Sequence, residues 1–224
     1  MNIKIINISK TFNFGVGKFK ACEDISLDIN QGDFISFVGH TGSGKSTLLS
    51  IIGGILKPSE GAIYYDSYKL ENPSEEVLTS FRREYFSYIF QYPVIVPTLN
   101  VIDNILMPLS FKHKITEEEI KQTKKNIELF SLKEKTYLKA SNLSGGEMKK
   151  VSILRALAYG CKCLIADEPT SDLDPSTTKT LMEIFNELNK NGTTIVMVTH
   201  AHNIAAHANN VYEMSDGRIV RCLK

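Results

Sequence analysis

Short apolar runs recur along the chain and predict the strands of a parallel sheet. Three of them, FISFV (34–38), CLIAD (163–167) and TIVMV (194–198), are almost continuously apolar. That pattern is typical of strands that helices cover on both faces. DISLDI (24–29) alternates apolar and polar residues, and AIYYD (62–66) resumes the strand pattern after a turn. Both segments are therefore also predicted to be strands.

Helical patterns separate these strands. The segment KSTLLSIIGGIL (45–56) is predicted to be helical, and the sequence from about Pro93 to Leu143 is predicted to be mainly helical. Within that region Thr116 and Glu119 have the spacing of a capping box, a motif that begins helices. The apolar residues that follow recur at roughly helical intervals: Ile120, Ile127 and Phe130.

The last strands predict a hairpin and complete the predicted fold. NVYEM (210–214) and GRIVRC (217–222) are expected to pair around a turn at Asp216 and Gly217. Together the patterns predict an α/β fold with a parallel core sheet, an antiparallel β edge and a helical subdomain inserted at residues 92–142. No repeat or linker divides the sequence, so residues 1–224 are expected to form a single domain.

The composition says little about the fold, but it restricts the classes of binding partner. The chain is 42% hydrophobic and 23% charged, with a formal net charge of +1, so no strong field attracts nucleic acid or an anionic membrane. Its apolar runs are too short or too interrupted to span a bilayer, and no signal peptide is apparent. We therefore expect a cytosolic protein that binds no nucleic acid and does not insert into the membrane.

A glycine-rich segment between a predicted strand and a predicted helix carries the clearest chemistry. GHTGSGKS (39–46), here called the phosphate loop, matches G-x-x-x-x-G-K-[ST], whose glycines let backbone N–H groups close around phosphates. Lys45 can place its ammonium on the β- and γ-phosphate oxygens, and Ser46 can offer its hydroxyl to Mg²⁺. The strand–loop–helix context disfavours the alternative, a plain glycine turn. The predicted nucleotide-binding residues here are Gly39, His40, Thr41, Gly42, Ser43, Gly44, Lys45, Ser46 and Thr47.

Two acidic residues follow one another at the end of the strand predicted at 163–167. Asp167 has the position that holds Mg²⁺ beside a phosphate loop, through water. Because successive strand residues point to opposite sides, Glu168 is expected to have a separate task. We predict that Glu168 is the general base that activates water, an effect typically worth about 10²- to 10⁴-fold. The alternative is that two acids merely end a strand.

A second glycine-rich segment opens directly into an amphipathic helix pattern. Ser144, Gly145 and Gly146, here called the signature segment, precede the run EMKKVSILRALA. A helix N-terminus presents backbone N–H groups and the positive end of the helix dipole, which suits an anion. The chain thus has two candidate anion-binding segments, far apart in sequence.

The order of these segments resembles the ABC transporter ATPases. NLSGGE, then KKVSILRALA, then LIADEPTSDLD is similar to the signature and Walker B region of that family. The resemblance implies the ABC ATPase fold of the P-loop NTPases, with ATP and Mg²⁺ as cofactors and ATP hydrolysis as the activity. It also implies that the signature segment binds the γ-phosphate of a nucleotide held by a second copy, in a head-to-tail homodimer. That arrangement would explain the two anion-binding segments.

Four further residues are identified only through this resemblance. Gln91 resembles the Q-loop glutamine that contacts Mg²⁺, and His200 resembles the switch histidine that contacts the γ-phosphate. Asp174 matches the D-loop, which spans the dimer interface, and Phe12 stands where the family has an aromatic stacked on adenine. Ordinary interpretations stay open: a polar loop residue for Gln91, a structural histidine for His200, and a core or edge aromatic for Phe12. The predicted catalytic residues are thus Lys45, Glu168 and His200, and the predicted metal-binding residues are Ser46, Gln91 and Asp167.

The chain departs from the family pattern at three places. Asp172 stands in the D-loop where a small residue or Asn is common, and EMKKV (147–151) replaces the more usual Gln-Gln-Arg-Val. Ala201 follows His200 where Asp is frequent. None of these changes removes a predicted phosphate, metal or base ligand, so we expect ATPase activity. The expected consequences concern its rate and the strength of the dimer.

Two longer stretches, residues 9–39 and 90–109, resemble the MacB/LolD/FtsE/BceA-type ATPases. This implies a transmembrane permease partner at the inner face of the cell membrane, and a role in export or mechanotransmission of lipoproteins, peptides or antibiotics. VPTLNVIDNILMPL (96–109) would lie beside the groove for the partner's coupling helix, with Pro93, Pro97 and Pro108 restricting the backbone. The alternative is a soluble or division-associated ABC ATPase that regulates a partner without transport. The signature segment disfavours a P-loop kinase or a nucleic-acid ATPase.

Overall fold

The protein is described by a computed structural model that covers residues 1–15, 17–66, 68–69 and 74–224. The chain forms two compact units. The first comprises Met1–Phe86, Cys161–Glu168 and Phe185–Lys224, and the second comprises Ser87–Gly160 and Pro169–Ile184. The insert predicted at 92–142 lies within the range of the second unit, and its exact bounds stay a prediction.

The elements of the described residues follow one another in the order that an α/β protein requires. The strands are β1 Ile3–Phe14, β2 Gly17–Ile29, β3 Phe34–Val38, β4 Glu60–Tyr65, β5 Tyr68–Lys69, β6 Phe86–Ile89, β7 Cys163–Asp167, β8 Thr194–Val198, β9 Asn210–Ser215 and β10 Arg218–Cys222. The α-helices are α1 Lys45–Ile52, α2 Glu75–Tyr85, α3 Val101–Ser110, α4 Glu117–Leu129, α5 Gly145–Tyr159, α6 Pro175–Lys190 and α7 His202–Ala205. Short 3₁₀ helices span Lys133–Lys135 and Ala140–Asn142.

The main sheet confirms the predicted parallel core. Its strand order is β10-β9-β3-β8-β7-β6, and β3 pairs in parallel with both β8 and β9, while β7 pairs in parallel with β8. Every residue of β3 and β8 is buried, as the continuous apolar runs predict. Because parallel strands end at the same edge, the residues that follow β3, β7 and β8 lie together.

Antiparallel strands form the predicted β edge. A second sheet has the order β2-β1-β4-β5, and the strands predicted at 24–29 and 62–66 belong to it. In the main sheet, β9 and β10 form the expected hairpin. Its turn residues Asp216 and Gly217 have φ values of 49° and 76°, the left-handed conformation that a two-residue hairpin turn favours.

The second unit contains the helices predicted for the insert. The capping box of α4 is present: Thr116 Oγ1 accepts from the Glu119 backbone N–H at 3.2 Å, and Glu119 Oε2 accepts from the Thr116 N–H at 2.8 Å. Asn104, a fully buried residue of α3, holds the loop that precedes this helix. Its Oδ1 accepts from Val96 N–H at 2.7 Å, and its Nδ2 donates to Val96 O at 3.0 Å. Polar side chains thus fix where these helices begin.

The helix α2 was not predicted from the sequence. Its signals are capping and charge: Ser74 is the N-cap and accepts from Val77 N–H at 3.3 Å. Glu75 and Glu76 lie in the first turn, and Arg82 and Arg83 lie in the last, where the helix dipole favours such charges. These signals would have identified the helix. Leu78 is buried on its apolar face, and the Phe81 ring on the same face lies 4.7 Å from the Tyr65 ring, centroid to centroid.

Candidate nucleotide-binding site

The phosphate loop lies between the end of β3 and the start of α1, in the first unit. Gly39, Gly42 and Gly44 have φ values of 147°, 85° and 97°, which side chains disfavour. A Cβ atom on Gly39 would lie 2.2 Å from the Met214 carbonyl oxygen, and one on Gly44 would lie 2.1 Å from that of Ala21. The loop therefore needs glycine for space as well as for conformation.

Gly44→Ala is expected to lower the free energy of unfolding by about 3 to 5 kcal/mol, because the methyl group meets a backbone oxygen in addition to left-handed strain. Gly192→Ala is the matched control: Gly192 has a φ of 90°, but nothing lies within 4 Å of its Cβ position. It should cost only the conformational penalty, about 1 to 2 kcal/mol. Urea unfolding of both variants measures the difference, and equal losses would contradict the steric argument.

The β9–β10 turn contacts the phosphate loop through hydrogen bonds. The Gly217 N–H donates to Ser43 O at 3.1 Å, and Gly217 O accepts from Glu23 N–H at 2.8 Å. The Ser215 hydroxyl lies 3.4 Å from His40 Nε2. This role of the hairpin was not predicted from the sequence. No local signal could have revealed it, because the contacting residues are distant in the chain.

Lys45 is buried at the centre of the loop, with 8% of the residue exposed. Its Nζ donates to the Gly39 and His40 carbonyl oxygens at 2.9 and 2.8 Å. Burial lowers the pKa of Lys45, and the negative charges of Glu168 and Asp167 oppose that shift. The described acceptors of Lys45 are thus oxygens of the phosphate loop itself, and the Ser43 hydroxyl is a further one at 3.3 Å.

Ser46 and Asp167 meet beside Lys45. The Ser46 hydroxyl, in the first turn of α1, donates to Asp167 Oδ1 at 3.1 Å. Asp167 is the last residue of β7, as predicted. A hydroxyl and a carboxylate in contact are hard oxygen donors of the kind that Mg²⁺ prefers, so this pair fits the predicted metal.

Glu168 and His200 form the other pair at this sheet edge. His200 Nδ1 lies 2.9 Å from Glu168 Oε1; the Glu168 side chain is 11% exposed and that of His200 is 75% exposed. One step of the sequence reasoning was wrong: β7 ends at Asp167, so strand alternation does not extend to Glu168. Glu168 has a φ of 45° and donates its backbone N–H to Val198 O at 2.9 Å. Left-handed non-glycine residues of this kind cluster at functional sites.

Phe12 lies in β1 opposite Phe19 of β2 and is half-exposed. Lys10 Nζ lies 5.4 Å from the centroid of its ring. The ring is therefore not a core residue, and the adenine-stacking role stays a prediction.

The signature segment lies in the second unit, where Ser144 is the N-cap of α5. Ser144 Oγ accepts from the Glu147 backbone N–H at 3.4 Å, and Glu147 Oε2 accepts from Ser144 N–H at 3.0 Å. Lys135 Nζ donates to Glu147 Oε1 at 2.5 Å. The ammonium of Lys135 and the Ser144 N–H lower the pKa of Glu147. Glu147, a departure from the family pattern, is thus part of the helix cap.

The glycines of the signature segment differ in their surroundings. Gly145 is exposed, and nothing lies within 4 Å of its Cβ position. A Cβ on Gly146 would lie 3.0 Å from the Asp172 carbonyl oxygen. Asp172, another departure, has a φ of 62°, so its left-handed backbone lets the D-loop approach α5 closely.

Asp174 ends the D-loop just before α6. It accepts from the Thr177 backbone N–H at 2.9 Å and from the Thr177 hydroxyl at 2.7 Å, and Lys150 Nζ lies 3.0 Å from its Oδ2. Hydrogen bonds from Ser176 and Thr177, together with Lys150, hold the pKa of Asp174 far below its ordinary value. Asp174 is thus bound within its own chain, and it links α6 to the signature helix.

Gln91 follows β6 in the second unit, and its side chain is exposed. Its carbonyl oxygen accepts from Lys149 Nζ at 2.7 Å, and that of Phe90 accepts at 2.9 Å. Lys149 was not predicted from the sequence. One signal was available in the sequence: Lys149 lies at helical intervals from Ser152, Ile153 and Ala156, so it belongs to the buried stripe of the helix.

The structure brings together Lys45, Ser46, Asp167, Glu168 and His200 in the first unit. The second unit holds Gln91, the signature segment and Asp174. After His200, Ala201 is the N-cap of α7 and supplies no side-chain cap, so the departure at this position leaves a weaker helix start. Among the described residues, no helix combines the length and apolarity needed to cross a membrane.

Comparisons with known proteins agree with the resemblance. The family model of the ABC transporters matches residues 22–171. An uncharacterized ABC transporter ATP-binding protein of Methanocaldococcus jannaschii, MJ0796, is 36% identical over 98% of this chain and 95% of its own length. The lipoprotein-releasing system ATP-binding protein LolD of Aquifex aeolicus is 36% identical over 90% of both chains.

Two further comparisons extend the relationship. The macrolide export ATP-binding/permease protein MacB of Neisseria meningitidis is 38% identical over 97% of this chain, which spans only 34% of MacB. A solved structure of MJ0796, described as a dimer in a post-hydrolysis state bound to ADP and Pi, has a TM-score of 0.92 and 34% identity, covering 99% of this chain and 98% of that one. The chain therefore belongs to the ABC transporter family and is an ATP-binding, ATP-hydrolysing subunit of that family.

Proposed function

We propose that this chain is a Mg²⁺-dependent ATPase that closes head to tail with a second copy on ATP and drives a membrane permease. The observation that carries the catalytic part is the meeting of five residues at one sheet edge: Lys45, Ser46, Asp167, Glu168 and His200. Each has the chemistry that phosphoryl transfer to water needs.

In this proposal the phosphate loop binds ATP through its backbone N–H groups and Lys45, with Phe12 beside the adenine. Ser46 and Asp167 would hold the metal, and Gln91 would contribute a further oxygen, as the family resemblance implies. When bound, Mg²⁺ neutralises charge on the β- and γ-phosphate oxygens. The contact of the Ser46 hydroxyl with the Asp167 carboxylate supports this assignment.

Glu168 is the general base. Its carboxylate accepts a proton from water as the water oxygen bonds to the γ-phosphorus, and the bond from that phosphorus to the β–γ bridging oxygen breaks to release ADP. His200, within hydrogen-bonding distance of Glu168, orients the carboxylate and contacts the γ-phosphate. The near-complete burial of the Glu168 side chain limits the number of positions in which it can meet water.

The second copy supplies the signature segment. Ser144 and Gly145 are exposed at the start of α5, so the N-terminus of this helix can meet an anion in the manner of other phosphate-binding helices. The dimeric structure of MJ0796 with ADP and Pi supports a paired arrangement for this chain.

The proposed partner is a transmembrane permease, which would hold this chain at the cytoplasmic face of the membrane. Support comes from two relatives: MacB is a macrolide export ATP-binding/permease protein, and LolD is the ATP-binding protein of a lipoprotein-releasing system. We assign an export or mechanotransmission role, with a lipoprotein, peptide or antibiotic as cargo.

Affinity purification of the tagged chain from detergent-solubilised membranes tests the whole proposal. A polytopic membrane protein is expected to copurify, and the complex should hydrolyse ATP only when Mg²⁺ is present. The same purification from the soluble fraction is the control. Recovery of soluble partners alone, or full hydrolysis in excess EDTA, would contradict it.

A further inference from the structure

Lys149 is a buried cation to which the proposed reaction gives no task. It lies in the second turn of α5, and only 1% of the residue is exposed. Lysine is rarely buried to this degree, since an ammonium group loses its hydration unless polar groups replace it. Its Nζ has such groups, the Phe90 and Gln91 carbonyl oxygens at 2.9 and 2.7 Å.

Both acceptors belong to the backbone that leaves β6, which ends at Ile89. Hydrogen bonds from a charged donor are shorter and stronger than neutral ones, so this loop is held firmly against α5. A second cation of α5 acts on the same segment, because the Arg155 guanidinium donates to the Val94 carbonyl oxygen. The stretch from Phe90 to Val94 is therefore held at both ends by one helix.

The same helix begins at the signature segment, since Ser144 is its N-cap. We propose that Lys149 is a positioning residue that fixes the Gln91 backbone to the signature helix. Gln91 then presents its amide to Mg²⁺ and nucleotide in one arrangement, and the loop follows α5 when the second copy engages Ser144. This inference rests on the role of Gln91 in the proposed function.

The test compares ATP affinity with and without Mg²⁺ by titration calorimetry, in a Glu168→Gln background that prevents turnover. Lys149→Met keeps the unbranched apolar part of the side chain but removes the ammonium donor. It is expected to reduce the Mg²⁺-dependent gain in affinity by roughly tenfold, the usual effect of losing a group that orients a metal ligand. Affinity without Mg²⁺ should change less than about twofold. Lys125→Met, on an exposed position of α4, is the matched control.

A double-mutant cycle separates positioning from general damage. If Lys149 acts through Gln91, then Lys149→Met should add little to the loss already caused by Gln91→Ala. Lys149→Gln, which keeps an N–H donor without the charge, should lose about threefold, and it carries the comparison if the methionine variant does not fold.

An unchanged Mg²⁺ effect in the Lys149 variants, or losses that add fully to that of Gln91→Ala, would overturn the positioning role. A Gln91→Ala variant with a normal Mg²⁺ effect would instead overturn the metal role of Gln91 in the proposed function. The two failures are therefore distinguishable.

Discussion

Replacing Glu168 by glutamine is expected to reduce ATP hydrolysis by about 10²- to 10⁴-fold while ATP binding persists. The amide has the shape of the carboxylate but cannot take a proton from water. Neither Lys45 nor the Ser46–Asp167 pair is altered, so the phosphate and metal contacts survive. Steady-state phosphate release measures the loss, and nucleotide titration measures the affinity.

The same variant should accumulate as an ATP-bound dimer, because hydrolysis is the step that reopens the pair. Gel filtration with and without ATP detects that shift. Glu187→Gln, an exposed acid on α6, is the matched control and should behave as the parent. Hydrolysis at the parental rate in Glu168→Gln would remove Glu168 as the base.

Ser144→Arg is expected to lower hydrolysis by at least about 100-fold, while the ATP affinity of the isolated monomer changes little. The signature segment is proposed to serve a nucleotide on the second copy, so a bulky side chain there blocks closure of the pair. Loss of donors aimed at a developing charge has effects of this size. Hydrolysis per molecule, measured as the parental protein is diluted, should fall in parallel with dimer dissociation.

Two controls isolate the cause. Ser110→Arg adds the same charge at an exposed position of α3 and should leave hydrolysis unchanged. Ser144→Ala removes only the hydroxyl that caps α5, so it separates the loss of the cap from the added bulk. A large drop in monomer affinity in Ser144→Arg would place the signature segment next to the nucleotide of its own chain.

The parts of the fold that follow from local pattern were predictable from the sequence. The buried strands at 34–38 and 194–198, the capping box of α4 and the β9–β10 turn were all confirmed. The phosphate loop was also recognisable, because its glycines are required by conformation within a few residues. Such features depend on near neighbours in the chain, which the sequence displays directly.

Other features depend on contacts between distant residues. The carbonyl of Ala21 against Gly44, and the carbonyls of Phe90 and Gln91 at Lys149, have no sequence pattern of their own. Similarly, the left-handed backbone of Glu168 is set by a hydrogen bond to Val198 from a neighbouring strand. The helix α2 is different: its cap, its terminal charges and the helical spacing of Leu78, Phe81 and Tyr85 were all visible in the sequence.

The hydrogen bond from the Gly217 N–H to the Ser43 carbonyl has a consequence for biosynthesis. A nascent chain that has left the ribosome only as far as α7 already contains every residue of GHTGSGKS, yet it lacks the turn that holds this segment in shape. In such a chain the Ser43 carbonyl does not yet have the Gly217 N–H as its donor, and His40 does not yet have the Ser215 hydroxyl beside it.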